Sequence, residues 1–361
     1  MSAWNTPLLG LVIAAATVVT PCSATIRNVP ADHPDIASAL ATAVPGDEVV
    51  IAPGTYLEHD LILPSGVVLR GATGDPADVV IDSGQAGRCI YGAGLDAASR
   101  IEALTLANGL PAWGSTPHNS WGGGLMVDGG ALTVANCVFT GNETAIGGGA
   151  FVIGTDTPTF SDCIFDGNEA TESAGLLLTG ICTPLVQNCV FRNGDRTLVG
   201  GGMTWTGSGH ALIEDCTVED NVVLETGGGV EVFGNGAVAT LRRCLIRRNA
   251  ARLGAGGLSV GNGGHVILEN CEIVENGAED YSGGIHLGTA TILEATETTI
   301  LGNTAPTGPD GGIGPSAAAT LICCTIDAGS WNVLGSLTLD DDGCSVAVET
   351  SAWGTLKATF R

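Results

Sequence analysis

Along most of this chain the apolar positions follow neither a helical period nor a plain alternation. They follow a cycle. Cys137, Cys163, Cys189, Cys216, Cys244 and Cys271 recur every 26–28 residues, and Thr298 and Cys324 continue the series. Three residues before each cysteine stands an apolar residue: Val134, Phe160, Val186, Ile213, Leu241, Leu268. Two residues after it stands another: Phe139, Phe165, Phe191, Val218, Ile246, Ile273. Strand residues i and i+2 share a face, so each cysteine and its following partner point inward together. The offset of three breaks that parity, so a bend must intervene. The residue before the cysteine is Asn136, Asp162, Asn188, Asp215 or Asn270, types that tolerate the left-handed backbone such a bend needs, with Arg243 the exception. Five residues after the cysteine comes an asparagine: Asn142, Asn168, Asn221, Asn249, Asn276 and Asn303, with Asn193 one place early. Glycines follow, then a third short apolar run such as AFVI at 150–153 or VEVF at 230–233, and then a glycine-rich turn.

A fixed period of this size signals a solenoid. Three short strands and three bends per repeat predict an all-β parallel β-helix of about ten rungs, each stacked about 4.8 Å from the last. The cysteine is then one member of an internal column, packing as a small hydrophobe. Metal ligation would want paired ligands at close spacing, and a nucleophile a polarising neighbour; neither recurs here. Cys323 and Cys344 are a candidate disulfide near the C-terminus. DHPDIASALATAV, 32–44, reads as a short helix with Ile36, Leu40 and Val44 on one side, placed to cap the open N-terminal end of the stack. The β-helix domain is expected over 25–340, and 341–361 is a terminal cap or an export or anchoring tail.

Residues 8–20, LLGLVIAAATVVT, form an apolar run of the length of a signal-peptide h-region, too short to span a bilayer. Small residues at Cys22 and Ala24 suit cleavage after Ala24, which makes 1–24 a secretory signal; lipoprotein processing before Cys22 is the alternative. The expected location is therefore secreted or cell-surface, with no membrane insertion after cleavage, as a monomer. Thirteen basic residues face 38 acidic ones, a net charge of −25. A nucleic-acid partner would require a basic footprint, so none is expected.

The short helix followed by GDEVVIAPGTYLE and SGVVLRG resembles the opening rungs of the pectin-lyase-like β-helix superfamily, and the C-x-F-x-x-N…GGG rungs are similar to the repeats of chlamydial-type polymorphic membrane proteins, which are surface adhesins. The resemblance covers roughly 30–330 and implies a right-handed helix. It implies no single function, since that superfamily holds polysaccharide lyases, pectin methylesterases, polygalacturonases and non-catalytic secreted β-helices. Its lyases carry acidic calcium ligands and a basic proton abstractor on one outward face. Here the outward row of the strand after the glycines is Met126, Phe151, Leu177, Thr204, Glu231, Ser259 and His286, with one carboxylate and no Lys or Arg. The Asn-Thr-Asp and Gly-His-Gly signatures of polygalacturonases and the methylesterase pattern are missing. No catalytic residue, cofactor or metal is therefore assigned, and calcium is not indicated.

Two features invite a binding role. The insertion LPAWGSTPHNSW, 110–121, carries Trp113, His118 and Trp121 on a loop; with Phe151 on the outward row these are the candidate binding residues, the alternative being that the loop folds over a strand and buries its tryptophans. LRRCLIRRNAAR, 241–252, holds five of the 13 basic residues. Stacking places Arg242 between Glu214 and Glu269, Arg248 between Asp220 and Glu275, and Arg247 beside Glu219, which makes an ion-pair ladder the expectation over an anion-binding patch. The leading functional expectation is a non-catalytic protein presenting a rigid face to an extracellular polysaccharide or other cell-surface partner. The alternative is a carbohydrate-active enzyme, a lyase or hydrolase.

Overall fold

A computed structural model describes residues 24–112 and 120–341. The signal reading, Trp113, His118, Cys344 and nearly all of the C-terminal segment lie outside the described residues. The chain winds as a right-handed parallel β-helix of about ten coils. Its strands form sheets of 13, 11, 11 and 6 members, each strand pairing in parallel with its counterparts one coil earlier and later. We number the sheets by their place in each coil. Sheet 1 precedes the cysteines, sheet 2 follows them, sheet 3 follows the asparagines and sheet 4 follows the glycines. Sheet 3, the six-stranded one, was not expected: its strands, such as Glu143–Ile146 and Glu169–Glu172, are short and carry no repeating apolar pattern.

Each corner is fixed by backbone conformation. The residue before the cysteine is left-handed on every coil from Ala103 through Asn136, Asp162, Asn188, Asp215, Arg243 and Asn270 to Glu297 and Cys323. Arginine and glutamate therefore occupy the same bend as asparagine, held there by the coils above and below. Leu104, rather than Ala103, stands beneath Cys137, because Thr105 pairs with Val138.

Inside, like stacks on like. Cys137, Cys163, Cys189, Cys216, Cys244, Cys271 and Cys324 are buried free thiols in one core cluster. The thiol of Cys244 is pushed up to about 12, first by its hydrogen bond with the Cys216 thiol and further by burial. Such a thiol is inert packing material. Cys323 is disulfide-bonded. Phe139, Phe165 and Phe191 stack with ring centroids 4.5 and 4.8 Å apart. The asparagines form a buried amide ladder: Asn249 Oδ1 accepts from the backbone N–H and Nδ2 of Asn221, while its own Nδ2 donates to Val218 O and Asn276 Oδ1. Asp310 closes the upper end by accepting from Asn303.

The ladder breaks once. Asn193 is not a displaced rung of it; left-handed at a second corner, it donates to Asp166, and Gly194 takes the ladder position. A packing gap too narrow for a water molecule lies there, lined by Asn168, Gly194 and Asn221. The glycine runs answer to the same crowding. A Cβ on Gly149 would lie 2.6 Å from Gly175 O and 2.7 Å from the Phe165 ring.

The cap helix α1 spans Ile36–Thr42 with Asp35 as N-cap, burying Ile36 and Leu40 on the first coils. Val44 lies past its end and is exposed, so it takes no part in the cap. The arginine cluster is the ion-pair ladder that the stacking arithmetic predicts. Arg242 pairs in register with Glu214 and Glu269, and Arg247 with Glu219. Hydrogen bonds from Arg248 and Arg243 hold the carboxyls of Asp220 and Asp215 below their usual range.

Two outcomes follow. Asn249→Ala strips the Asn221 N–H of its acceptor and Val218 O of its amide donor in the core and lowers unfolding free energy by about 3 kcal/mol or more, read by urea denaturation; a loss near zero would mean that the ladder does not bear on stability. Arg248→Glu puts three acids in adjacent coils and lowers Tm by about 2 °C or more at low salt, a deficit that shrinks in 1 M salt (about a 3 Å Debye length). Unchanged Tm would contradict the stacked register.

Candidate functional site: the walled face of sheet 4

A third left-handed corner shapes the outer face of sheet 4. Where sheet 3 passes into sheet 4, Gly147, Gly200 and Gly227 have φ of 67°, 65° and 71°, and Ser173 on the coil between the first two and Ala255 and Ser282 on the next two coils take the same conformation. The turn is so tight that sheet 3 stands as a wall along the outer face of sheet 4. The outward row of sheet 4 is consequently largely covered. Met126, Phe151, Leu177, Thr204, Glu231 and Ser259 are all buried although none faces the core. Sequence parity placed this row outward correctly; the wall that covers it was invisible.

The row changes chemistry along the stack. Its first half is apolar: Met126, Phe151 and Leu177 form a second hydrophobic cluster with Tyr91, Trp121, Ile146 and Ile153. Trp121 and Phe151 are thus brought together, their ring centroids 5.2 Å apart. Arg88, itself buried, donates to the Trp121 and Gly122 carbonyls and anchors the end of the insertion. Trp121 is half-buried rather than displayed, and Phe151 is 5% exposed.

The second half is polar and short of partners. Thr204 Oγ1 and His286 Nδ1 are buried without a hydrogen bond among the described residues. Burial lowers the basicity of His286, whose ring lies edge-on to Tyr281 on the wall at 4.9 Å. Between them Glu231 is 7% exposed. Burial, then the charges of Glu172 and Glu225 on the wall, push its carboxyl up to about 7, and no hydrogen bond opposes the shift. Two residues further along the same face, Phe233 is 44% exposed and its ring lies against Gly261, where a Cβ would meet it at 2.6 Å. The arrangement offers a carboxyl that is half protonated near neutrality, two carboxylates beside it, unsatisfied hydroxyl and imidazole groups, and an exposed ring. A perturbed acid in a recess is a recognised mark of a working site. Among the described residues, no three His, Cys, Asp or Glu side chains converge to hold a metal ion.

Sequence reasoning had Glu231 and His286 in the right row but missed their significance, and missed Glu172, Glu225 and Tyr281 because the wall strands show no pattern. The available signal lay across the coils: the aligned column turns from apolar to polar at Thr204.

Residues 98–273, and again 174–350, match the family described as right handed beta helix region. The chain belongs to that family, as the resemblance of its opening rungs implied at the level of fold. No curated protein matches it. Among solved structures it is similar to pectate lyase Pel9A, at 14% identity over 94% of this chain and 82% of that one, with a TM-score of 0.46. It is similar also to a Yersinia enterocolitica family 28 exopolygalacturonase, at 14% identity, 88% and 78% coverage and a TM-score of 0.37. A mannuronic acid specific family 6 polysaccharide lyase from human gut microbiota matches at 12% identity, 91% and 89% coverage and a TM-score of 0.39. Likenesses this loose assign no role to any residue of the groove.

The state of Glu231 is open to direct measurement. Its carboxyl is raised above the 4.5 of an unfolded chain, so its stabilising contribution is present below about pH 4.5 and is lost as pH rises through about 7. Glu231→Gln lacks this dependence. From pH 4.5 to 8 the unmodified protein should lose about 3 kcal/mol relative to the Gln variant in denaturant titrations. Parallel pH profiles would mean that Glu231 titrates as an ordinary surface acid.

Proposed function

We propose that the walled face of sheet 4 takes an extended polysaccharide lying along the stack, and that Glu231 donates a proton to it, making the protein a carbohydrate-active enzyme of the hydrolase type. The observation that supports this reading is the Glu231 carboxyl, buried, without a hydrogen bond and poised near pH 7 under the influence of two other carboxylates. Glycosidic cleavage needs one acid that is protonated at working pH and one carboxylate that is not. Glu231 fits the first role. Glu172 and Glu225 are the candidates for the second, activating water or attacking the sugar directly. In sheet 3, Glu172 is followed by Val199 and then Thr226, so it sits two coils, about 9–10 Å, from the coil of Glu225. The two candidates therefore offer different separations from the acid. A lyase would instead need a base able to take a proton from the sugar ring, and the row holds no Lys or Arg.

Binding without cleavage is the second reading, and Trp121 and Phe233 favour it. One is half-buried and one exposed along the same face, as stacking platforms for sugar rings would be. It keeps the earlier expectation of a rigid presenting surface on a secreted protein.

Purified protein incubated with a panel of neutral and acidic polysaccharides separates the two. The hydrolase reading expects new reducing ends without unsaturated product. Glu231→Gln should cut that release by about 10²–10⁴-fold, the usual worth of a general acid, while retention on the polymer persists. Unsaturated product, or release undiminished in the Gln variant, refutes the assignment of Glu231. Retention that disappears in Trp121→Ala/Phe233→Ala, with no cleavage in any protein, leaves the binding reading standing alone.

A further inference from the structure

From the placement of charge we infer that this groove selects a neutral polysaccharide and rejects polyuronates, an inference that rests on the groove being the polymer-binding surface. A polyuronate brings one negative charge per sugar, and a face that accepts it must supply cations. Among the described residues the outward row of sheet 4 supplies none. Its wall carries Glu172 and Glu225, whose charges add to burial in raising the Glu231 carboxyl. The imidazole of His286 is discouraged by burial from becoming a cation.

Of the described guanidiniums, all but that of Arg252 have carboxylate or carbonyl partners, and only Arg196 and Arg252 lie along sheet 3. Arg242, Arg243, Arg247 and Arg248 are paired with carboxylates at sheets 1 and 2. Arg196 is paired with Glu169, and Arg192 with Asp166. Arg27, Arg70 and Arg100 pair within sheet 1 and its flank. Arg88 lies on the ring of Tyr91 at the apolar end, but its guanidinium is turned to the Trp121 and Gly122 carbonyls. Arg252 is exposed and follows Ala251, which pairs with the inward Val223; it therefore lies level with the exposed Leu224, on the side of sheet 3 away from the core. The whole molecule adds a net charge of −25, a field that slows the approach of any polyanion.

A neutral sugar meets the reverse situation. Its hydroxyls donate to the Glu172 and Glu225 carboxylates, groups that can only accept when ionised. Thr204 Oγ1, buried without a partner, and Ser259, on the next coil but one, each offer both a donor and an acceptor. Phe233 supplies a face for the apolar side of the ring. Like charges set against one another across a desolvated surface are strongly disfavoured, so selection should be steep.

The test measures retention of the full chain on xylan, β-glucan, mannan and galactan against polygalacturonate and alginate, in affinity electrophoresis at low and high salt. Unmodified protein should be retained by at least one neutral polymer more than about tenfold more strongly than by either polyuronate. Glu172→Lys/Glu225→Lys should reverse the order at low salt, both side chains being exposed and so replaceable without disturbing the core. Glu172→Gln/Glu225→Gln should narrow the gap, and thermal melts confirm that each variant is folded. Polyuronate retained by the unmodified protein as well as the neutral polymers overturns the selection while leaving the groove reading intact. Retention insensitive to Trp121→Ala/Phe233→Ala, or no retention on any polymer, overturns both.

Discussion

The constraint beneath everything in this molecule is translation by one strand spacing. Each coil hydrogen-bonds to the next in parallel and in register, so every side chain lies about 4.8 Å from its counterpart. A residue type is therefore judged by how well it stacks on itself. Asparagine succeeds because its amide both donates and accepts along the stack, and phenylalanine because rings overlap. The thiol succeeds because it is small, apolar enough to bury, and able to donate weakly to a carbonyl. Glycine is required where coils approach most closely, as at Gly149. The left-handed corners belong to the same constraint. A bend that recurs at one height on every coil must be adopted even by Arg243 and Glu297, which would not choose it in isolation.

Charge is the chemistry that stacks worst on itself, and the chain handles it in two ways. Along sheets 1 and 2 an arginine coil is set between acidic coils, and each guanidinium reaches a carboxylate above or below. On the face walled by sheet 3 no such compensation is made. Glu231 lies near Glu172 and Glu225 with no cation or hydrogen bond to relieve it, and burial settles the conflict by holding its proton. Elsewhere in the fold a cost of this kind is removed by a partner. Among the described residues Glu231 is the buried carboxyl left without one, with an unpartnered hydroxyl and imidazole in the same row, which is the basis for proposing a working surface there.

Much of this was legible in the sequence. The period, the inward pair at the cysteine and two residues on, the bend before it and the arginine ladder all follow from spacing and strand parity, and the coordinates agree. The failures share a cause. Sheet 3 was missed because its inward positions are filled by the asparagine ladder and small residues, leaving no apolar alternation to read. Asn193 was taken for a shifted rung because type was weighed over position; Gly194 holds the place. For Trp121 both display and burial by a folded-over loop were open from the sequence; Arg88, over thirty positions away in sequence, holds its carbonyl, and no local pattern announces that contact.

The site itself was half legible, and the half that was missed shows how such a protein should be read. Along the chain, VEVF at 230–233 is an ordinary strand with one acid on its outer side. Across the coils it is a break: Tyr91, Met126, Phe151 and Leu177 make an apolar column, and Thr204, Glu231, Ser259 and His286 replace it without any change in backbone register. A solenoid repeats its scaffold and has no reason to vary a covered column except for what that column meets. On the reading proposed above, this change of chemistry at constant geometry is the trace of a ligand, and its sign, an acid and hydroxyls in place of apolar groups with no Lys or Arg in the row, is what a partner rich in hydroxyl groups would meet.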